Sequence, residues 1–414
     1  MAGEATVATS IAILKTKYTQ PKVYWLAYKN NPFFATVRKD ESFGGDGTKV
    51  IAVQTETPQG AGITISLAQT NINPGSYKKF IITRQSDYAI AQVTGEAMKA
   101  SQGNENALVD LWKREMEGAI HLNRRSAAIA MFRSGTGTRG RISSGSNTGT
   151  ATITLATIAD ITNFAVGMTL DASSADGSGL RTNVANGAKI TAMDRTLGTL
   201  TISGNWTSSI TSVAASDYLL RHGDQNGVLT GMSGWCPSTA PSSTAFFGLD
   251  RSVDTVRLGG LRLDGTGAPM QETLLEACAM ANVEGAEVDT IWMHPRDRAN
   301  LVKELGARVM YTKATVAIKE SDASIGFDAL ELEFDGTKAK IMSDISVPRS
   351  SVFVTQQDTW AFETLGPAPQ VLDFDSNQFL RTSTADTYEV RIGYYGQMSN
   401  AAPAYTVNIS NFGV

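Results

Sequence analysis

The sequence predicts an α+β protein of several units, in which one long helix stands among many short strands. Three observations support this. An amphipathic stretch at 105–132 would form a helix about 40 Å long. A Gly-, Ser- and Thr-rich stretch with short strand-like runs follows at 136–224. Two strands with alternating apolar residues close the chain. At 414 residues the chain exceeds one compact domain, so we expect two or three structural units.

Residues 1–45 show no sustained hydrophobic period, which predicts an extended arm. Its aromatic residues are scattered among polar ones: Tyr18, Tyr24, Trp25, Tyr28, Phe33 and Phe34. Because an arm cannot bury these rings within itself, we expect them to pack on another surface, such as that of a second subunit.

Two stretches rich in Val, Ile, Thr and Tyr lie at 49–56 and 77–93. Between them stand the turn-forming residues Pro58, Gly60, Gly62, Pro74 and Gly75. This pattern predicts a long two-stranded excursion. An isolated hairpin is only marginally stable in water, so we expect this one to lie on a neighbouring surface.

The long helix is predicted to begin after Asn104 as N-cap and to end at Ser134 and Gly135. Its apolar residues fall on one broad stripe from Leu108 to Met131, while most charged residues lie on the opposite side. A helix of this length usually spans a whole domain.

Residues 136–224 contain short strand-like runs at 151–155, 168–172, 188–194, 199–203 and 218–221. The runs at 188–194 and 199–203 predict a hairpin with Gly198 at the end of its turn. We expect a small β-barrel or β-sandwich inserted between helical neighbours. Its core would be formed by Phe164, Val166, Met168, Ile190, Leu200 and Trp206.

From residue 226 the pattern is mixed α and β. Helices are predicted at 270–281 and 296–305, and strands at 288–293, 330–334, 339–342 and 351–355. In the closing strands the apolar residues alternate at 388–394 and 405–409, so we expect each strand to bury one face and expose the other.

The charge and cysteine content of the chain limit the kinds of function and partner that it can have. Charged residues make up 18% of the chain and its net charge is -4, so no broad footprint for duplex DNA is evident and any nucleic-acid contact should be local and non-specific. Only Cys236 and Cys278 are present, which argues against a disulfide framework and suits a reducing cytoplasm. No segment resembles a signal peptide or a membrane span.

Motifs for chemistry are weak. His121, His222 and His294 are widely spaced, and none has a second ligand at metal-binding spacing. Residues 135–140 match GxGxxG, but they follow a helix and enter a Ser/Gly-rich segment, whereas a dinucleotide site follows a strand and opens a helix. We therefore predict no catalytic, cofactor-binding or metal site, and no enzyme activity.

Several segments together resemble the major capsid proteins of tailed bacteriophages, which have the Hong Kong 97-type capsid fold. The segments similar in kind and order are ENALVDLWKREMEGAIHLNRRSAAIAMFRSG, VDTIWMHPRDRANL, IMSDISVPRSSVFV and YEVRIGYYGQMSNAAPAYTVNI. The resemblance covers nearly the whole chain.

The resemblance implies five regions. They are an N-terminal arm at 1–45, an extended loop at 46–95, a peripheral domain with the spine helix at 96–135 and 375–414, an insertion domain at 136–225 and an axial domain at 226–374. It further implies self-assembly into hexamers and pentamers, forming an icosahedral shell that encloses double-stranded DNA in the virion. Portal, scaffolding and decoration proteins are implied as partners, with assembly in the host cytoplasm and no membrane contact.

We expect the subunit interface to include Lys49, Lys78, Lys79 and Arg84 of the loop and Tyr24, Trp25, Phe33 and Phe34 of the arm. Two alternatives remain open. An encapsulin-like shell would share this fold while storing enzymes. A β-rich decoration or receptor-binding protein would explain residues 136–225 but not the long helix.

Overall fold

The computed structural model describes residues 31–45, 47–101, 105–184, 187–305, 330–372, 380–381 and 385–414. Strands outnumber helices, and three sheets of six or more strands organise the described chain. None of the helices in these ranges is both long and apolar enough to cross a lipid bilayer. The predicted α+β class is confirmed.

The chain enters the described region through a short helix and leads into a hairpin. The elements are α1 (Pro32–Thr36), β1 (Arg38–Asp40), β2 (Thr48–Glu56), α2 (Ile65–Thr70) and β3 (Ser76–Thr83). Strands β2 and β3 pair antiparallel from Thr48 opposite Thr83 to Glu56 opposite Ser76, and they pair with no other strand. The predicted two-stranded excursion is therefore present, with α2 at its far end.

The second arm of the excursion is shorter than expected. Strand β3 stops at Thr83, and β4 (Gln85–Thr94) leaves the hairpin to pair along β22 (Thr387–Asn400) in another sheet. The expectation of one strand over 77–93 is wrong, whereas the extent of the extended loop to residue 95 stays a prediction. The β-forming composition is continuous through the change of partner at Arg84, so no local pattern marks it.

Two helices follow, α3 (Gly95–Ser101) and α4 (Glu105–Ala130). Helix α4 is the predicted long helix, and its last turns lie within the expected bounds. Ala119, with Met116 and Ile120 beside it, packs on a layer of small and branched residues from β4 and β22. The apolar stripe of α4 therefore packs against this sheet.

The inserted unit is an all-β domain with its own core. It comprises β5 (Thr138–Arg141), β6 (Thr152–Thr154), β7 (Thr169–Ala175), β8 (Ser178–Leu180), β9 (Thr182–Asn183), β10 (Ala188–Asp194), β11 (Thr199–Ile202), α5 (Trp206–Ser209), β12 (Ile210–Thr211) and β13 (Tyr218–Arg221), with a 3₁₀ helix at Ile158–Asn163.

Its main sheet runs β5-β13-β7-β10-β11-β6. A bridge between Ile142 and Leu155 joins the two outermost strands, so the sheet closes on itself as in a barrel. The predicted hairpin of β10 and β11 is present, with Gly198 at φ +67°. Trp206 and Phe164 are buried as expected, whereas Val166 is 59% exposed, so its assignment to the core was wrong.

The mixed unit contains α6 (Met232–Trp235), β14 (Leu261–Asp264), α7 (Met270–Val283), β15 (Thr290–Met293), α8 (Pro295–Leu305), β16 (Leu330–Phe334), β17 (Thr337–Ser343) and β18 (Val352–Thr355). Its six-stranded sheet runs β14-β23-β18-β15-β17-β16, where β23 is the last strand (Thr406–Ser410), and it contains both parallel and antiparallel pairs. Helices α7 and α8 bury their apolar faces together with this sheet.

The last strands of the chain belong to two different sheets. The elements are β19 (Trp360–Thr364), β20 (Gln370–Val371), β21 (Leu380–Arg381), β22 and β23 (Thr406–Ser410). Strands β1, β4, β19, β20, β21 and β22 form the helix-backed sheet, whereas β23 lies in the mixed sheet between β14 and β18. The assignment of 96–135 and 375–414 to one peripheral domain stays a prediction.

Neither closing strand is amphipathic along its length. Every residue of β23 from Thr406 to Ile409 is buried, and β22 is buried on both faces from Gly396 to Asn400. The expectation of one solvated face is therefore wrong for β23 and for the end of β22. Polar residues in these stretches form buried hydrogen bonds: Asn408 donates to the carbonyl of Cys236 at 2.6 Å.

A central core joins the helix-backed and mixed sheets. Phe33 and Phe34 of α1 are 0% and 3% exposed within it. The Phe33 ring lies 4.9 Å from that of Phe132 and 5.2 Å from that of Trp292. These two rings are therefore buried in the chain's own core, and the expectation that they lie between subunits is wrong.

Candidate subunit interface

The far end of the hairpin carries apolar side chains that nothing else in the described chain covers. Ile63 is 97% exposed, Ile65 80%, Ile72 66% and Leu67 45%. We call residues 57–75 the loop tip; it contains no charged residue. An uncharged surface with four exposed branched side chains is typical of a contact surface rather than a solvated one.

The loop tip has a defined local structure. The Thr64 side chain caps α2 by accepting a hydrogen bond from the Leu67 amide at 3.2 Å. The Asn71 side-chain amide donates to the Ala61 carbonyl at 2.8 Å. Gly62 lies so close to the Ala68 backbone that a Cβ there would be 2.6 Å from its nitrogen. The apolar side chains are thus held on a folded scaffold before any partner binds.

The root of the hairpin is firmly attached to the central core. Phe80 and Ile82 are fully buried, and the Phe80 ring lies 5.1 Å from that of Trp235. The Ile81 amide donates to the Phe247 carbonyl at 2.8 Å. Because β3 is fixed at this end while its other end is exposed, the hairpin projects from an anchored base.

Lys49 lies at this root and is paired within its own chain. Its ammonium group contacts Asp40 at 2.8 Å and forms a closer ion pair with Glu363, which is 2% exposed. Although partial burial opposes it, hydrogen bonding to these two carboxylates raises the pKa of Lys49. Lys49 therefore has two acidic partners within its own chain, and its role at a subunit interface stays a prediction.

Arg84 is likewise used internally, because its guanidinium donates to the Phe43 carbonyl at 2.9 Å and lies 5.8 Å from the Phe43 ring centroid. Lys78 and Lys79 are exposed on adjacent residues of β3, so they point to opposite faces of the hairpin. Their role at an interface stays a prediction. Tyr24 and Trp25 lie outside the described residues.

The sequence predicts that the hairpin lies on a neighbouring surface, but the expected interface residues did not include the apolar side chains of the loop tip. Their signal in the sequence is that Ile63, Ile65, Leu67 and Ile72 occur in an uncharged run. Exposure of branched side chains cannot be read from a sequence, since the same pattern suits a buried strand.

His222 and His294 lie in structural settings. His222 contacts Asp171 at 2.7 Å in the inserted unit. His294 is buried and accepts a hydrogen bond from the Arg296 amide at 3.1 Å. Burial, together with the charges of Arg349 and Arg296, lowers its pKa from 6.5 to about 4. Within the described ranges, no group of three His, Cys, Asp or Glu side chains is arranged to hold a metal ion.

The GxGxxG match at 135–140 has no nucleotide-binding geometry. Gly135 and Gly137 have φ angles of +88° and +89°, and the segment leads from α4 into β5 instead of opening a helix. A Cβ on Gly137 would lie 2.5 Å from the Asp224 carbonyl oxygen. These glycines are required by a tight turn between the long helix and the inserted unit.

No protein-family model and no curated protein matches the sequence. Solved structures do resemble it. The cyanophage A-1(L) capsid asymmetric unit has 11% sequence identity and a TM-score of 0.50, over 95% of this chain and 97% of that one. The capsid of myovirus phage XM1 has 8% identity and a TM-score of 0.44, over 95% and 96%.

The holo-SrpI encapsulin complex of Synechococcus elongatus has 9% identity and a TM-score of 0.45, over 98% of this chain and 94% of that one. The fold assignment depends on the cyanophage capsid, which matches the chain almost from end to end. The chain therefore has the Hong Kong 97-type fold of phage capsid proteins.

Proposed function

We propose that this chain is the major capsid protein of a tailed bacteriophage, a structural subunit that assembles into the icosahedral head shell around double-stranded DNA. The observation that carries the proposal is the loop tip: a folded, uncharged projection with four exposed apolar side chains that the subunit itself does not cover. The capsid fold supports it. The subunit is completed by other copies of itself.

The contact would be heterologous, with the loop tip of one subunit on a different surface of the next. Repetition of such a contact generates a closed ring if the rotation closes. Rings of five and six subunits would then tile a shell. The anchored root of the hairpin, held by Phe80 and Ile82, sets the direction in which the tip points and so favours one geometry of contact.

Apolar burial should dominate the strength of this contact. Fully burying one Leu or Ile side chain stabilises an association by roughly 1.5–3 kcal/mol, whereas an exposed ion pair contributes at most about 1 kcal/mol. Four tip side chains therefore outweigh Lys78 and Lys79. Because Lys49 is neutralised by Asp40 and Glu363, it fixes the hairpin root rather than a neighbouring subunit.

The structure suggests a revised division into regions under this proposal. The hairpin at 48–83 would be the extended loop, and the helix-backed sheet with α4 would be the peripheral domain. The mixed sheet with α7 and α8 would be the axial domain, whose copies meet at the centres of the rings. The inserted unit at 136–225 would be an additional domain on the shell.

Deletion of residues 58–75 tests the loop's role. We expect the shortened protein to stay folded, since those residues contribute nothing to the four buried clusters. It should form no shells in negative-stain electron microscopy, whereas the full chain, given whatever scaffold it requires, forms shells or capsomers. Normal shells from the deletion would contradict the loop's role.

A substitution pair separates loss of apolar area from loss of the loop itself. Ile63, Ile65, Leu67 and Ile72 are changed together to Ser. The matched control changes four exposed apolar residues elsewhere to Ser: Val166, Leu180, Leu197 and Val283. The tip variant should fail to assemble and the control should assemble normally. Equal loss of assembly in both would show that general surface polarity, not the tip, decides the outcome.

Purified particles distinguish a viral shell from a cellular compartment shell. Shells that hold double-stranded DNA, resistant to nuclease until the shell is opened, support the capsid proposal. Shells that hold a folded enzyme and no DNA support the encapsulin-like alternative. A full-length protein that stays monomeric or trimeric when it is concentrated, with and without proteins from its own genome, would contradict both.

A further inference from the structure

Two arginine side chains, one from the segment before β14 and one from β14 itself, lie near Cys236. The first, Arg251, is 8% exposed. Its Nη1 atom donates to the carbonyls of Gly234 at 3.0 Å and Trp235 at 2.8 Å. Its guanidinium carbon lies 3.8 Å from the centroid of the Phe246 ring. The guanidinium group is therefore held in one position, and the edge formed by Nε and Nη2 takes no part in these contacts.

The second arginine, Arg262, is half-buried, and its Nη2 atom donates to the Thr255 carbonyl at 3.0 Å. Gly260 brings this strand close to Cys236, because a Cβ on Gly260 would lie 2.6 Å from the Cys236 sulfur. Burial raises the pKa of the Cys236 thiol to about 12, and the charges of both arginines oppose this shift. The two guanidinium groups are therefore close neighbours.

No carboxylate balances these two charges. Neither arginine forms an ion pair with any residue in the part of the chain that the structure describes. Asp250 accepts hydrogen bonds from the amide and hydroxyl of Ser252, and Asp254 accepts from two backbone amides of its own turn. Burial lowers the pKa of Arg251 to about 10, and the Arg262 charge adds to this shift.

The inserted unit shows which ligand the free edge of an arginine accepts. Nε and Nη2 of Arg181 donate to the two carboxylate oxygens of Asp217 at 2.9 Å and 3.0 Å. In Arg251 neither atom of this edge has an acceptor among the described residues, and Nε is buried; Nη1 of Arg262 is also buried without an acceptor. Buried donors without acceptors and buried cations without anions are both destabilising. An oxyanion would satisfy both requirements, because its oxygens share a negative charge and accept several hydrogen bonds.

We propose that Arg251 and Arg262 form a binding site for an oxyanion supplied from outside the subunit, either a phosphate ion or a carboxylate of a neighbouring copy. The site is separate from the loop tip and does not depend on the capsid function. The Phe246 ring, which stacks on Arg251, lies 6.3 Å from that of Phe80 in β3. A bound oxyanion would therefore join β14 of the mixed sheet to the segment that holds the hairpin root.

Thermal unfolding of the full-length, unassembled protein in sodium phosphate tests the site, with sodium chloride of equal ionic strength as the reference. Arg262 is the residue to change, because Arg251 also holds two backbone carbonyls. A ligand of the folded state raises the unfolding midpoint as its concentration increases. Phosphate also stabilises proteins generally, since it is excluded from their surfaces. The measured quantity is therefore the rise in the wild type minus the rise in R262Q.

We expect a larger rise in the wild type than in R262Q, which loses the charge and the donors. R262K keeps the charge without the planar fork, so it should retain only part of the difference. The matched control is R38Q, which removes the same charge from an exposed position and should show the wild-type rise. Circular dichroism confirms that each variant is folded.

Negative-stain microscopy distinguishes the two sources of the oxyanion. If a neighbouring copy supplies a carboxylate, phosphate should raise all the midpoints equally, and R262Q should form fewer shells than the wild type and R38Q. Equal rises together with normal assembly of R262Q would overturn the proposal, as would a smaller rise in R38Q that matches that of R262Q. A wild type that forms no shells and responds to phosphate no more than R262Q does would overturn it as well.

Discussion

At the residue scale, buried ionisable groups lie where distant parts of the chain meet. Asp344 is 1% exposed and accepts hydrogen bonds from the amides of Phe33 and Ser346, which ties α1 to the mixed unit. Asp297, also 1% exposed, pairs with Arg349 and accepts from the Ser350 amide. Burial raises the pKa of both carboxyl groups. Both carboxyl groups have specific hydrogen-bond partners, and these partners fix how the segments join.

His294 should make the stability depend on pH. Its pKa is about 4 in the folded chain, against an ordinary value of 6.5. Between these values the unfolded chain binds the extra proton, so the free energy of unfolding should fall as pH decreases from 6.5 to 4, by about 3 kcal/mol. In the variant H294N the side-chain oxygen can accept a hydrogen bond from the Arg296 amide. This variant should lack the part of the pH dependence that comes from His294.

Urea unfolding of the wild type and H294N at pH 7 and pH 4.5 measures the contribution of His294. The free energy of unfolding should fall less between pH 7 and pH 4.5 in H294N than in the wild type. The decrease that both proteins share comes from other titrating groups. An equal loss in both proteins would show that His294 is not the responsible group.

At the element scale, a buried charge cluster attaches the inserted unit to the rest of the chain. Arg221 contacts Asp87 of β4 at 2.7 Å and Asp224 at 2.8 Å. Arg139 contacts Asp224 at 3.5 Å and donates to Ser126 of α4 at 3.0 Å. Because β5 and β13 carry the chain into and out of the unit side by side, one cluster holds both connections.

Removal of Asp224 should destabilise this junction. Arg139 is 7% exposed at its side chain, so D224A leaves a buried cation without a carboxylate and should cost about 3–5 kcal/mol. The control is D386A, whose pair with Arg381 is exposed and contributes at most about 1 kcal/mol. Chemical unfolding midpoints compare the two; a similar shift for both would contradict the role of the cluster.

The inserted unit should fold without its neighbours. Its core is separate from the others, its sheet closes on itself, and its two ends are adjacent. The fragment 136–225 contains one tryptophan, Trp206, which is fully buried. We expect cooperative unfolding followed by Trp206 fluorescence. A gradual, non-cooperative change would show that the unit depends on the long helix for its stability.

At the scale of the whole molecule, the described chain has three well-packed units and one hairpin whose root is packed in the central core and whose tip is exposed. The central core joins α1, the end of α4, the helix-backed sheet and the mixed sheet, which gives the hairpin a firm base. The loop tip lies away from all four buried clusters. A folded projection on a firm base suits a protein whose stable form is an assembly.

Limited proteolysis should show whether a neighbouring subunit covers the hairpin in assembled shells. Lys78 and Lys79 are exposed beside the loop tip, so trypsin should cut the unassembled protein there. In shells the cut should be slowed, because a neighbouring subunit covers the hairpin. Lys189 of the inserted unit is the internal control. Mass spectrometry of the timed digests identifies each site; equal rates at Lys78 and Lys79 in both forms would contradict coverage of the loop.

The sequence by itself determined the local elements. The long helix, the β10–β11 hairpin, α7, α8 and most of the short strands follow from hydrophobic period, capping residues and turn glycines, which act over a few neighbouring residues. The capsid resemblance also came from such segments, read in order.

Only the tertiary structure decided which elements share a sheet and which side chains stay exposed. Strand β4 leaves the hairpin for β22, β23 joins the mixed sheet, Phe33 and Phe34 enter the chain's own core, and Ile63 and Ile65 remain in solvent. Of the expected interface residues, Lys49 and Arg84 proved to have internal partners. The physical reason is that strand pairing and burial depend on contacts between residues far apart in sequence, whereas propensity and periodicity describe only the residues beside them.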